Sequence, residues 1–209
     1  AQLFRQFQVP IYAIAGNHDL YGHNPQTWER TMLGLLDGFG TVQLLHAGEP
    51  IRLEKEGCVV QLSGQPFHYD LDKRDVHLDY HVRNQFAADY CIHMVHGMLV
   101  PRPLPEGVAY TLTDQIWESE VDLWLTGHYH AGFPIQRKKD KMIVNPGAMA
   151  RIHSQPSEIK RKPQVALITC DEQLSVKLIP LQSAPDGQEV LDRSQLEQAA
   201  YRQEKLHSF

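Results

Sequence analysis

Short apolar runs recur along the chain, and several end in a polar cluster. Val9-Pro10-Ile11-Tyr12-Ala13-Ile14-Ala15, Tyr90–Val95 and Val121–Leu125 lack the strict alternation of a strand with one wet face. Runs of this length predict strands buried on both faces of a sheet. Asn24-Pro25 predicts a helix start, with Pro25 at the first helical position and Gly38 just past the end. Shorter strands are predicted around Val42–Leu45, Ile51–Leu53 and Val59–Leu62. The stretch Gly64–His81 is polar, aromatic and His-rich, and reads as loop. Pro101, Pro103 and Pro105 make the next segment an extended loop, and Thr113 is expected to cap a short helix. From Phe133 the pattern becomes hairpin-like, with strands Phe133–Gln136, Lys141–Val144, Val165–Thr169 and Leu174–Ile179. Ser194-x-x-Glu197 is a capping box, predicting a final amphipathic helix. No repeat or linker divides the chain. The order predicts an α/β fold, two packed sheets in an α/β sandwich with flanking helices. One domain is expected over 1–190, with a C-terminal helix over 191–209.

Composition narrows the class. The 209 residues are 42% hydrophobic and 22% charged, an ordinary balance for a water-soluble domain. No apolar run approaches the roughly 20 residues of a membrane helix, and the first six residues lack a signal-peptide pattern. A protein without membrane contact is expected. Cys58, Cys91 and Cys170 are far apart in sequence and predict buried free thiols in a reducing cytoplasm. A net charge of −5 argues against a generally cationic nucleic-acid binder. Twelve histidines are an excess that points to metal or acid–base chemistry.

That chemistry gathers where the buried runs end. They lead into Gly16-Asn17-His18-Asp19, His96-Gly97 and Gly127-His128-Tyr129-His130. In α/β sheets the crevice beyond the carboxyl ends of the strands is where ligands bind. Asn17 offers a carbonyl oxygen, and His96, His128 and His130 offer imidazoles. These are donors that Mn, Fe and Zn accept. Two histidines two residues apart in a tight turn can aim their rings at different ions.

These three clusters, in this order and each after a buried strand, resemble the calcineurin-like metallophosphoesterase family. The resemblance implies a hydrolase of phosphate mono- or diesters that works with two divalent ions, Mn first, with Fe or Zn as alternatives. It implies that Asn17, His96 and His128 bind one ion and that His130 helps bind the other. His18 becomes the proton donor beside the leaving oxygen, oriented by Asp19. The wider contexts Ala15–Leu20 and Met94–Leu99 look most like the DNA-repair exonuclease branch.

The chain also departs from the family pattern. An Asp-x-His and a Gly-Asp motif are expected before Gly16, and neither is there. Asp75-Val76-His77 fits Asp-x-His but lies in a charged loop with no apolar strand before it, so it reads as a decoy. The chain is therefore expected to be a fragment lacking the N-terminal part of the domain, inactive or nearly so alone.

Substrate class is less legible. Residues 133–163 hold eight Lys or Arg against one Asp and one Glu, a basic island that a DNA backbone would attract. Two solvated turns, Arg137–Lys141 and Lys160–Lys162, are the slightly favoured explanation. His23, after the first cluster, and Arg151, after Asn145-Pro146-Gly147, are candidate substrate contacts at the rim. Three readings follow: a nuclease or phosphodiesterase, a nucleotide or phosphoprotein phosphatase, and a degenerate metal-binding or interaction module without catalysis. A homodimer or an ATPase subunit is the expected protein partner. The upstream DNA tests the fragment reading. A strand buried on both faces needs parallel neighbours reached by crossovers of a dozen or more residues, so an open frame about 40–80 residues longer is expected, about two strand–helix units. A start codon at Ala1 behind an in-frame stop is the opposing result.

Overall fold

The computed structural model describes residues 2–151, 156–191 and 194. A six-stranded mixed sheet forms its centre, in the order β3-β4-β5-β8-β10-β9. The strands are β3 (Ile51–Lys55), β4 (Cys58–Gln65), β5 (Tyr90–Val95), β8 (Leu123–Thr126), β9 (Phe133–Lys138) and β10 (Lys141–Asn145). Strands β4, β5, β8 and β10 run parallel, and antiparallel β3 and β9 close the edges. The four parallel strands therefore deliver their carboxyl ends to one edge of the sheet.

Each face of this sheet carries its own core. One packs Leu71, Tyr80, Val95, Leu99, Trp124 and Ile143 together. Trp124 is fully buried, donates its indole N–H to the Tyr80 carbonyl at 2.8 Å, and meets Trp117 edge-on. Truncating such a tryptophan costs about 3–5 kcal/mol. The opposite face packs Leu62, Ile92, Leu123, Met142 and Val144 against a second layer. Two ribbons make that layer. One is β1 (Tyr12–Ala13) paired parallel with β2 (Gln43–Leu44), and the other is the hairpin of β11 (Gln164–Cys170) and β12 (Leu174–Pro180). Between them lies an open apolar cleft of about 570 Å³, walled by Tyr12, Ile168 and Cys170 and floored by Leu62, Ile92 and Met94.

Several sequence expectations need correction. The α/β class and its large sheet hold, but the second layer is two ribbons either side of a cleft. The Val9–Ala15 strand shrinks to two residues in that layer, and Val9 is exposed. Its parallel partner β2 comes later in the chain, after a crossover through residues 25–38. That crossover is broken, with a 3₁₀ turn Pro25–Arg30 and then α1 (Met32–Gly38). Thr31 adopts an extended conformation between them, and its hydroxyl caps the Gly34 N–H. Thr113 lies inside its short helix, and the Gln115 side chain caps the Leu112 N–H instead. The loop read over 64–81 contains α2 (His77–Tyr80). Short β6 (Leu99–Val100) and β7 (Thr111–Leu112) pair across the proline-rich loop, while α3 (Pro156–Lys160) and α4 (Gly187–Val190) carried no sequence signal. Cys91 is buried and its thiol is pushed up to about 11 by desolvation, but Cys58 and Cys170 are only half-buried. The Ser194-x-x-Glu197 helix lies outside the described residues apart from Ser194. Among the described residues no helix is long and apolar enough to cross a membrane.

His93 is a core residue, 4% exposed. Its Nε2 faces the Asp79 carbonyl at 2.9 Å, so that nitrogen carries the proton, and Nδ1 accepts from the Ser63 hydroxyl at 2.8 Å. Burial pushes it from 6.5 to about 4. Between those values the unfolded chain holds a proton that the folded chain does not. Stability is then complete above pH 6.5 and is lost as pH falls toward 4, by on the order of 3 kcal/mol. Denaturant unfolding of His93→Gln across pH 7 to 4.5 should show a flatter decline than wild type, and an unchanged slope removes His93 from the linkage.

Candidate metal and catalytic site

The carboxyl ends of the parallel strands converge with the exit of β1. The ladder runs on past the strands, with His96 N–H on the Gln65 carbonyl and Gly127 N–H on the Val95 carbonyl, both at 3.1 Å. Phe67 N–H bonds the Ala15 carbonyl at 2.9 Å and ties the β1 exit to the β4 exit. All three sequence clusters therefore meet at one edge.

Gly16–Asp19 folds into a single 3₁₀ turn. Its Asn17 is buried, whereas His18 and Asp19 are exposed. The Asp19 carboxylate accepts from the Gly16 N–H at 2.8 Å and closes the turn on itself. Among the described residues no hydrogen bond joins Asp19 to the His18 ring. Asn17 Oδ1 and His96 Nε2 stand 3.1 Å apart, and the His128 ring centroid is 5.1 Å from that of His96. The His96 ring fits between two glycines. A Cβ on Gly16 would stand 2.7 Å from its Cε1, and one on Gly127 would stand 3.1 Å from its Nδ1.

His128 occupies a strained backbone. Tyr129 N–H bonds the Gly127 carbonyl at 2.8 Å across His128, whose φ is +66°. This is a γ-turn of the rare hand, held against roughly 1–3 kcal/mol of strain. What holds it is Asn145, 1% exposed at the end of β10. Its amide donates to the Tyr129 carbonyl at 3.0 Å, and its carbonyl accepts from Gly147 N–H at 2.9 Å. Ala148 N–H then bonds the His130 carbonyl.

Burial pushes His96 to about 4, and the nearby His128, His130 and His18 add to the effect. Burial also lowers His128, with the Asp72 carboxylate opposing it. Both imidazoles are thus neutral at pH 7 and offer lone pairs, the form that binds metal. The donor set fits one ion: 3.1 Å is the separation of two donors each about 2.1 Å from a common centre. It does not fit two. The gathered donors include no carboxylate, and no three His, Cys, Asp or Glu side chains among the described residues converge on a point.

His23 is exposed and has its ring edge-on to His18, with centroids 5.3 Å apart. Arg151 does not offer a free guanidinium. It donates to the Glu158 carbonyl and twice to the Arg161 carbonyl, tying the rim loop to α3. His130 lies close enough for its charge to act on both His96 and His128. His153 and His207 lie outside the described residues.

Two positioning residues escaped the sequence reading. Asn145 was seen only as part of a turn. Asp72 had no signal at all in its loop, yet it accepts from Tyr80 O–H at 2.5 Å, Met98 N–H at 2.6 Å and Thr111 O–H at 2.7 Å. It thereby fixes the turn just after His96.

A mixed α/β sheet gathers an amide and imidazoles beyond its parallel carboxyl ends, the place where α/β folds bind ligands. More particularly, the chain belongs to the calcineurin-like phosphoesterase family, whose sequence model matches residues 1–132. Two solved structures are similar. One is a Staphylococcus aureus protein described as a 5'-nucleotidase in complex with alpha-ketoglutarate, 17% identical, TM-score 0.47, with 90% of this chain and 42% of that chain covered. The other is the Thermus thermophilus sulfate thiohydrolase SoxB in complex with glycerol, 13% identical, TM-score 0.48, with 86% of this chain and 35% of that chain covered. The chain thus spans well under half the length of either. A search of curated proteins finds no match.

The glycine clamp gives a direct test. Gly16 has φ −89°, so a side chain there brings no backbone strain, only the clash with His96. Gly16→Ala should weaken divalent-metal affinity by about tenfold or more, a loss of at least ~1.4 kcal/mol, with little change in melting temperature. Gly38→Ala, which meets nothing within 4 Å, is the control. Equal metal affinity in both variants would show that the ring position does not matter.

Proposed function

We propose that this chain carries the acid and one metal-holding face of a phosphate-ester hydrolase. The observation that supports this most is the pairing of a donor set, buried Asn17 with half-buried His96 and His128, with an exposed His18 on the same turn as Asn17. Asn17, His96 and His128 would hold one divalent ion, with His130 beside them. An ion bound there would polarise a phosphoryl oxygen and lower the pKa of a bound water.

The remaining work belongs to side chains. His18 stands in solvent contact beside the donors and supplies a proton to the departing alkoxide oxygen as its bond to phosphorus breaks. Asp19 holds the turn that aims His18 by its bond to Gly16 N–H, a different task from orienting the ring. His23 packs on the His18 ring and limits its swing.

Two facts weigh against a long DNA backbone and for a compact phosphate ester such as a nucleotide or phosphoprotein group. Arg137–Lys141 forms the β9–β10 turn, at the end of β10 opposite Asn145 and the site. Arg161 is spent on Glu158 and on the Ala148 and Ala150 carbonyls, and Arg151 is likewise engaged.

Two variants separate the roles. In an active enzyme that carries this site, His18→Ala should lower turnover of an alkyl phosphate ester, whose alkoxide needs a proton to leave, about 100- to 10,000-fold, the usual span for general acid–base help, with metal content by calorimetry unchanged. His128→Ala should lower metal occupancy itself. If both lose metal equally, His18 is a ligand. If turnover survives His18→Ala unchanged, His18 is not the acid.

A further inference from the structure

The Asp75-Val76-His77 motif, set aside as a decoy for the main centre, leads to a different pair. His77 opens α2 and His81 follows its last residue, four positions on and on the same face. Their Nδ1 atoms face each other at 2.8 Å, with ring centroids 4.1 Å apart and planes at 75°. Two imidazole nitrogens at that distance share at most one proton, so at least one lone pair points at the other ring. The Nε2 of His81 is buried with no hydrogen-bond partner, so the Nδ1 contact alone orients that ring's polar edge. His77 is exposed, and the pair is reached from solvent.

We propose that His77 and His81 chelate a second, separate divalent cation of the nitrogen-seeking class, Zn²⁺ or Cu²⁺. Opening the pair by a few tenths of an ångström, to about 3.3 Å, brackets an ion at about 2.0–2.1 Å from each nitrogen. No third His, Cys, Asp or Glu among the described residues converges on it, so water completes the shell. Imidazole without carboxylate favours Zn²⁺ and Cu²⁺ over Mg²⁺ or Ca²⁺. The position gives the ion a consequence. Between the two histidines, Tyr80 donates to Asp72, and the Asp79 carbonyl accepts from the His93 N–H. An ion across the turn would staple the strut that fixes Met98 beside His96.

The test silences the other centre first. In His96→Ala/His128→Ala, Cu²⁺ should give an electron-paramagnetic-resonance spectrum with two nitrogen ligands. Zn²⁺ should raise the melting temperature, and Mg²⁺ should not. Adding His77→Ala, an exposed change that leaves the core intact, should remove one nitrogen, weaken binding at least about tenfold and abolish the Zn²⁺ shift. If the double variant does not fold, loss of one Zn²⁺ equivalent between wild type and His77→Ala carries the same information. Identical stoichiometry and spectra with and without His77 overturn the proposal. Failure here leaves the proposed hydrolase untouched, since His77 is no part of that centre.

Discussion

The site depends first on where the His96 ring can sit. That imidazole occupies a slot with no room for a Cβ on Gly16 and little for one on Gly127. Two glycines from two different strand exits therefore set its plane. Once it is fixed, Asn17 is the oxygen within reach and His128 the next ring. The ring is desolvated by the same packing, which keeps it neutral. Position and protonation state thus share one cause, close backbone approach around a half-buried imidazole.

That slot is supported from below by carboxylates that touch no candidate ligand. Asp72 gathers three donors and pins Met98, and a Cβ on Gly97 would collide with Tyr80 O–H. Asp79, 2% exposed, is bound by Arg74 and His68. Burial alone would push its carboxyl up, but those hydrogen bonds outweigh it and hold it below the ordinary carboxylate range. Both acids lie in or beside α2, so a segment with little periodicity is the anchor for the turn after β5. A buried charge left unpaired there would cost several kcal/mol, which ties the loop to one conformation.

Periodicity made the sheet legible. Tyr90–Val95 and the hairpin strands were found because burial on both faces and on one face leave different patterns. Val9–Ala15 looked the same yet gave only a two-residue ribbon. Apolar content reports that a segment can be buried, while covering it depends on neighbours the pattern does not name. The clusters around Asn17, His96 and His128 were visible because strand ends focus chemistry. Asp72 was not, since a left-handed Asp in a loop (φ +64°) looks like any turn residue until its donors, up to 39 positions away, are in place. The basic island failed as a substrate signal for a related reason. Lys141 donates to the Ser119 and Val121 carbonyls, and Arg161 to Glu158, so charge counted along the chain had already been used within the fold.

The Gly16–Asp19 turn carries the last step. A 3₁₀ helix has three residues per turn, so neighbours project about 120° apart. Asn17 points inward to His96 and His18 outward beside it, although they are adjacent in sequence. A longer α-helical segment would change that angle and lengthen the reach. The Asp19 carboxylate on Gly16 N–H keeps the turn this tight, and Gly16 must in turn remain small for His96. Four consecutive residues therefore meet three demands together: a slot wall, an oxygen donor and a solvent-facing imidazole.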